Sequence, residues 1–191
     1  MGPAETAAAA SPADPRRYHL GRHLSARRPP GVPIIINPSR VFVLSELAPY
    51  IQQYREAWHA AGHAGVPQVG LRVPVYVAKT AERAYEEPKV STMAAVQNLG
   101  NRVADSASRV GTTGDWSVQA ERVRRMSYED WPRDKVVYGI PEAVVDRLQQ
   151  LREELDLTQI LCEVNYGRQI PYALQLENLR LINAHVMPQL K

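Results

Sequence analysis

Continuous runs of β-branched residues constrain the fold of this chain more than any other feature. The segment PIIIN, residues 33–37, is apolar up to its last residue, which is typical of a strand buried on both faces of a sheet. The segment VGLRVPVYVAKT (69–80) is dominated by Val, Leu and Tyr, and Thr158–Val164 is predicted as a third, largely apolar strand. Helical patterns separate the three runs, and this alternation indicates parallel strands joined by helical crossovers. The sequence therefore predicts an α/β fold.

The first two helical segments have clear boundary signals. Ser45 can cap a helix that runs to about His63, and Thr80 can cap a short helix that stops before Pro88. Pro74 lies inside the second strand. Because proline cannot donate to a strand ladder, we expect an edge or a bulge at this position.

The second half of the chain contains a long insertion and two further helices. Residues 89–138 form the insertion, in which 91–111 and 115–126 have helical patterns. Pro141 opens a helix to about Leu155, and a last helix is predicted over Tyr172–Val186.

The net charge of +3 comes entirely from the first 30 residues. This tail, rich in Ala, Pro and Arg, carries five arginines and two acids, whereas the remaining chain carries 18 basic and 18 acidic residues. A tail without apolar periodicity cannot bury enough surface to offset its chain entropy, so we expect residues 1–30 to be disordered. The neutral body has no basic stripe, which argues against nucleic acid as a partner.

Other composition signals narrow the class of protein. No stretch approaches the roughly 20 apolar residues of a membrane helix, so we expect no membrane partner. Cys162 is the only cysteine, which excludes an internal disulfide and favours a reducing compartment, the cytoplasm. Its apolar neighbours indicate a core thiol. His59 and His63 are spaced for one face of a helix, but no third ligand accompanies them, so we predict no metal site.

Five segments in order give the chain a family resemblance. They are PIIINPSRVF, YIQQYREAWHAAGH, VGLRVPVYVAKTAERAYEE, VVYGIPEAVVDRLQQLREELDLTQILCEVNYG and LRLINAHVMPQL. Over residues 31–191 the chain resembles the C-terminal part of the bacterial luciferase-like flavin-dependent oxidoreductases. The resemblance implies a monooxygenase that uses reduced FMN and O2 on a small organic substrate, or a related enzyme that uses coenzyme F420.

The same resemblance implies part of a TIM (β/α)8 barrel. A complete barrel takes eight strands and about 250 residues, whereas this chain has about three predicted parallel strands, their helices and the insertion. The family holds the flavin phosphate mainly with the earlier strands, so this part would form one wall of the pocket. Unpaired strand edges favour a homo-oligomer or a chain that depends on a partner. The alternatives are a truncated, non-catalytic remnant or partner subunit of such an enzyme, and a small doubly wound α/β binding module.

Functional residues of a barrel cluster at the C-terminal ends of its strands. By the resemblance, the cofactor would contact four residues that follow the first and third strands: Asn37, Asn165, Tyr166 and Gly167. The substrate would meet arginines after these strands and in the insertion: Arg40, Arg168, Arg124 and Arg125. Both groups also have an interpretation without function. The residues after the strands would be ordinary polar turns, and the arginines of the insertion would be the solvated face of a helix. The sequence offers no convincing general base, so the catalytic residues are not predicted.

Overall fold

A computed structural model of the chain describes residues 33–37, 44–110, 121, 123–131 and 135–190, with all of their side chains except those at 45, 103 and 106–110. The strands are β1 (Ile34–Ile36), β2 (Val69–Val77), β3 (Val137–Gly139) and β4 (Gln159–Glu163). The helices with described bounds are α1 (Ala48–Ala60), α2 (Ala81–Glu86), α3 (Lys89–Val110), α4 (Pro141–Glu154) and α5 (Tyr172–Leu181). The predicted tail and Arg40 lie outside the described residues.

The strands form one parallel sheet with β2 at its centre. β1 pairs with β2 from Val69 to Leu71, and β4 pairs with it from Gly70 to Pro74. β3 pairs with the last part of β2, from Val75 to Val77. This arrangement confirms the predicted α/β class with parallel strands. The short strand β3, at the end of the segment predicted as an insertion, is a fourth strand that the apolar runs did not indicate.

Pro74 does not mark an edge or a bulge, so that expectation was wrong. β2 is paired with each of the other three strands, and it is the most central strand of the sheet. Pro74 is the last residue of β2 opposite β4, and Val75 is the first opposite β3. The missing N–H therefore falls where the pairing partner changes, which explains how a central strand accommodates a proline.

The main core lies between one face of the sheet and the helices α1, α4 and α5. The odd-numbered residues of β2, from Val69 to Val77, are buried there together with Ile51 of α1 and Leu148 of α4. Ile182 and Val186, in the π-helical turn Ile182–Val186 that continues α5, belong to the same cluster. Burying a Val or Leu side chain contributes about 1.5–3 kcal/mol, so this layer is the main source of stability. Cys162 packs against it, as the sequence indicated.

The helix boundaries agree with the sequence signals at some positions and differ at others. The Thr80 hydroxyl accepts a hydrogen bond from the Arg83 N–H at 3.2 Å, which confirms it as the N-cap of α2. α1 begins at Ala48, after a 3-10 turn at Leu44–Leu47, and not at Ser45. Its N-cap is Leu47, which makes no side-chain cap. Pro49 lies in the first helical turn, where its missing N–H costs least.

Among the helices that the structure describes, none combines the length and the apolar character that a membrane crossing requires.

Candidate functional site

A cleft of about 320 Å³ lies on the face of the sheet opposite the main core. Its floor comes from the even-numbered side of β2, and its far wall from α3. Residues at the C-terminal ends of strands border it: Asn37 follows β1, and Tyr166, Gly167 and Arg168 follow β4. This is the end of a parallel sheet at which α/β proteins bind their ligands.

A charged pair forms the floor of the cleft. Arg72 Nη2 donates to Glu163 Oε1 at 2.7 Å, joining β2 to β4. Both side chains are partly exposed, at 42% for Arg72 and 24% for Glu163. The strand period of two explains their position, because the neighbours Leu71 and Val73 point into the core on the other face. A lone charge inside each apolar strand was the sequence signal for this pair, which our sequence analysis missed.

The turn after β4 is locked onto the first turn of α3 by Ser91. The buried Ser91 hydroxyl donates to the Tyr166 carbonyl at 2.5 Å and accepts from the Gln169 N–H at 2.9 Å. The backbone of Gly167 lies against the same residue, with a φ of +86°. A Cβ at Gly167 would come within 1.7 Å of the Ser91 carbonyl oxygen. Only glycine fits there, because the backbone of the turn approaches α3 so closely.

Tyr166 places a protonated phenol at the edge of the cleft. Desolvation, supported by the negative charge of Glu163, raises the pKa of Tyr166 to about 12, although Arg102 and Arg72 act in the opposite direction. The side chain is therefore a neutral hydrogen-bond donor at any ordinary pH. Its hydroxyl makes no hydrogen bond with any residue that the structure describes.

The opposite wall combines apolar and cationic groups. Leu99 and Arg102 of α3 border the cleft, as do Trp131 and Lys135. The Lys135 ammonium lies 4.9 Å from the centre of the Trp131 ring, a cation–π contact. With Arg72 and Arg168, the described residues of the lining include four cationic side chains and one carboxylate, Glu163. A cleft of this composition favours a ligand with both an apolar body and a negative charge.

The structure brings together half of the residues predicted from the sequence. Asn37, Tyr166, Gly167 and Arg168 border one cleft. Asn165 does not, because its side-chain carbonyl accepts from the Ile170 N–H at 3.3 Å and shapes the turn.

The arginines predicted in the insertion are placed elsewhere. Arg124 and Arg125 pair with Glu121 at 3.8 and 2.8 Å, and neither borders the cleft. Arg40 lies outside the described residues.

Asn178 of α5 holds the ends of the two strands that carry the cleft. Its side chain is fully buried. The amide oxygen accepts from the Val77 N–H at 2.8 Å, and the amide nitrogen donates to the Val164 carbonyl at 3.3 Å. One side chain thereby connects β2 to the end of β4. A polar residue on the inner face of an amphipathic helix was the only sequence signal for it.

The remaining reactive side chains lie away from the cleft. Burial raises the pKa of the Cys162 thiol, which makes it a weak nucleophile. The His63 ring packs edge-on against Trp58, with 5.1 Å between ring centres. Within the part of the chain that the structure describes, no three His, Cys, Asp or Glu side chains group as a metal site would require.

Comparisons with known proteins identify the fold. No protein-family model matches the chain, and no curated protein matches it. Among solved structures, the chain is similar to the monooxygenase RslO1 from Streptomyces bottropensis, with 18% identity and a TM-score of 0.55 over 90% of this chain and 45% of that one. It is similar to the coenzyme F420-dependent tetrahydromethanopterin reductase from Methanopyrus kandleri, with 16% identity and a TM-score of 0.53 over 90% of this chain and 48% of that one.

A third similar structure contains a bound flavin. The oxygenating constituent of 3,6-diketocamphane monooxygenase from Pseudomonas putida, in complex with FMN, has 19% identity and a TM-score of 0.54 over 81% of this chain and 42% of that one. The chain thus spans less than half the length of each of these proteins. The likeness confirms the predicted fold, which is part of the luciferase-like barrel.

Proposed function

We propose that this chain forms one wall of the active-site cleft of a flavin- or deazaflavin-dependent oxidoreductase of the monooxygenase kind. The observation that carries the proposal is the position of the cleft, at the C-terminal ends of parallel strands, in a fold shared with an FMN-bound monooxygenase and an F420-dependent reductase. Functional sites of barrel enzymes occupy that end. The proposal extends to a small organic substrate, which would share the cleft with the cofactor.

The residues of the cleft fit a flavin or deazaflavin ring at its polar edge. The ring carbonyls need hydrogen-bond donors, and the Asn37 amide and the Tyr166 hydroxyl are donors on the cleft surface. Tyr166 remains protonated because desolvation raises its pKa to about 12. When bound, the cofactor supplies the hydride or oxygen chemistry. The protein's own contribution is to orient the ring and, through the nearly buried Leu99 and Trp131, to limit access of water.

The alternative is a subunit or remnant that has no turnover of its own. The pairing pattern favours a partner, because β1, β3 and β4 each pair only with β2 among the described residues. The Ile35 side chain of β1 is 54% exposed, an unusual environment for an isoleucine in a parallel sheet. A second copy of this chain, or another chain with βα units, would cover this edge.

The test is an anaerobic equilibrium titration of the purified chain with reduced FMN and, separately, with coenzyme F420, alongside its elution volume in gel filtration. We expect one of the two cofactors to bind to a monodisperse species. Absence of binding by a well-folded, monodisperse chain would refute the cofactor proposal and support the non-catalytic alternative.

A conservative variant assigns the binding to the cleft. Tyr166→Phe removes one hydrogen bond, so cofactor affinity should fall about fivefold, the equivalent of roughly 1 kcal/mol. The matched control is Tyr172→Phe, which removes a hydroxyl from a side chain that is 78% exposed on α5 and outside the cleft. Equal affinities in the two variants would show that Tyr166 does not contact the cofactor.

A further inference from the structure

Two polar side chains on the turn after β4 have no bonding partner among the described residues. The Arg168 guanidinium makes no ion pair or hydrogen bond with them, and the Tyr166 hydroxyl makes none either. Both border the cleft. Other arginines around the sheet are paired, as Arg72 is with Glu163 at 2.7 Å and Arg83 is with Glu177 at 3.0 Å.

The turn holds the backbone of these two residues in a fixed position. Ser91 anchors the Tyr166 carbonyl and the Gln169 N–H on either side of Arg168. Arg168 itself has a φ of +63°, a conformation that only a few per cent of non-glycine residues adopt. Asn and Asp occupy this region more readily than arginine. Non-glycine residues in such sparsely populated backbone conformations cluster at functional sites and ligand clamps.

The rest of the lining defines the ligand. Glu163 is already paired with Arg72, so no carboxylate of the described lining is left to pair with Arg168. Ala95, Leu99 and Pro74 border the same space and offer apolar contact. An inorganic anion would leave these apolar groups unused, and a neutral compound would leave the Arg168 guanidinium without a partner.

We propose that the cleft takes a small organic acid, whose anionic group is bound by the Arg168 guanidinium and whose apolar body lies against Leu99. Guanidinium binds a carboxylate through two parallel hydrogen bonds. The assignment of this acid as the substrate rests on the proposed function. Its binding does not require a cofactor, so the two proposals fail separately.

The experiment is isothermal titration calorimetry of the cofactor-free chain at low salt, with benzoate, the isosteric neutral amide benzamide, benzenesulfonate and inorganic phosphate as probes. We expect benzoate to bind at least about tenfold more tightly than benzamide, since a hydrogen-bonded ion pair contributes about that factor. Benzenesulfonate should bind as an organic oxyanion too, and phosphate should bind more weakly because it has no apolar body. Phosphate binding as tight as that of benzoate would overturn the proposal.

Variants locate the anion. Arg168→Gln should weaken benzoate binding about tenfold and leave benzamide unchanged, whereas Arg168→Lys, which keeps the charge but not the planar fork, should give an intermediate loss. The control Arg180→Gln changes an exposed arginine of α5 outside the cleft and should have no effect. Circular dichroism verifies that each variant is folded. Equal benzoate affinity in Arg168→Gln and Arg180→Gln would overturn the proposal.

Competition distinguishes the anion of a substrate from the phosphate of a cofactor. If FMN displaces benzoate and riboflavin does not, then Arg168 binds the cofactor phosphate, and the acid site is refuted. If benzoate binds and neither FMN nor F420 does, the acid site is supported and the cofactor proposal fails.

Discussion

Replacing Gly167 with alanine tests how the cleft is held together. Two costs are separable at this position. An L-residue at a φ of +86° is strained by about 1–2 kcal/mol. The added Cβ would also lie 1.7 Å from the Ser91 carbonyl oxygen and 2.5 Å from its carbonyl carbon, both of them backbone atoms that no side-chain rotation can move. Forcing the turn away from α3 adds about 1–3 kcal/mol of overpacking.

We therefore expect Gly167→Ala to lower the free energy of unfolding by about 3 kcal/mol, measured by urea denaturation. Gly62→Ala is the matched control, because Gly62 has a φ of +72° and nothing within 4 Å of its Cβ direction. That variant should lower the free energy of unfolding only by the cost of the strained backbone, about 1 kcal/mol. Benzoate and cofactor affinity should fall in Gly167→Ala alone. Equal destabilisation of the two variants would refute the contact between the turn and Ser91.

Two further predictions concern the groups around α5. Asn178→Ala should lower the free energy of unfolding, measured by urea denaturation, by about 2–4 kcal/mol, because it leaves the buried Val77 N–H and the Val164 carbonyl unpaired. The control Asn183→Ala loses only an exposed hydrogen bond to the Leu179 carbonyl and should change stability little. A similar loss in both variants would contradict the connecting role of Asn178. Arg83 and Lys79 lower the pKa of Glu177 from 4.5 to about 2. Since the pKa of Glu177 is lower in the folded state than in the unfolded state, its ion pairs with Arg83 and Lys79 stabilise the fold fully above pH 4.5. This stabilisation is lost as the pH falls towards 2. Melting temperatures between pH 6 and 2 should decline less steeply in Glu177→Gln, and parallel curves would contradict the assignment.

The sequence was sufficient to predict the α/β class with parallel strands, but it was insufficient for the number and order of the strands. Apolar runs and capping signals predicted three of the strands and the helices between them, because burial on both faces and helix ends leave local marks. Pro74 misled because a local rule, that proline belongs at edges, was satisfied by a change of partner strand that only the fold reveals. β3 has three residues, too few for a periodic signal.

The candidate site could likewise be predicted from the sequence only in part. The common position of Asn37, Tyr166 and Arg168 at one cleft was predictable, because the C-terminal ends of parallel strands converge whatever the loops do. Arg72 and Glu163 were missed because a single charge in a strand identifies a face but not its partner. The contact between Gly167 and Ser91 was missed for a related reason. A positive φ can be read from a glycine in a turn, but Ser91 is distant in sequence, and only the packing of α3 brings it there.

The central position of β2 has a consequence for biogenesis. Its partner β4 is 89 residues further along the chain, as the contact between Val69 and Thr158 shows, and the bond from Val77 to Asn178 spans 101 residues. During synthesis β2 therefore leaves the ribosome after β1 and α1 but well before β4 and α5. At about 5–20 residues per second, this nine-residue strand remains for several seconds or more without β4. Nascent chains of this protein should thus be strong clients for chaperones that bind extended apolar segments.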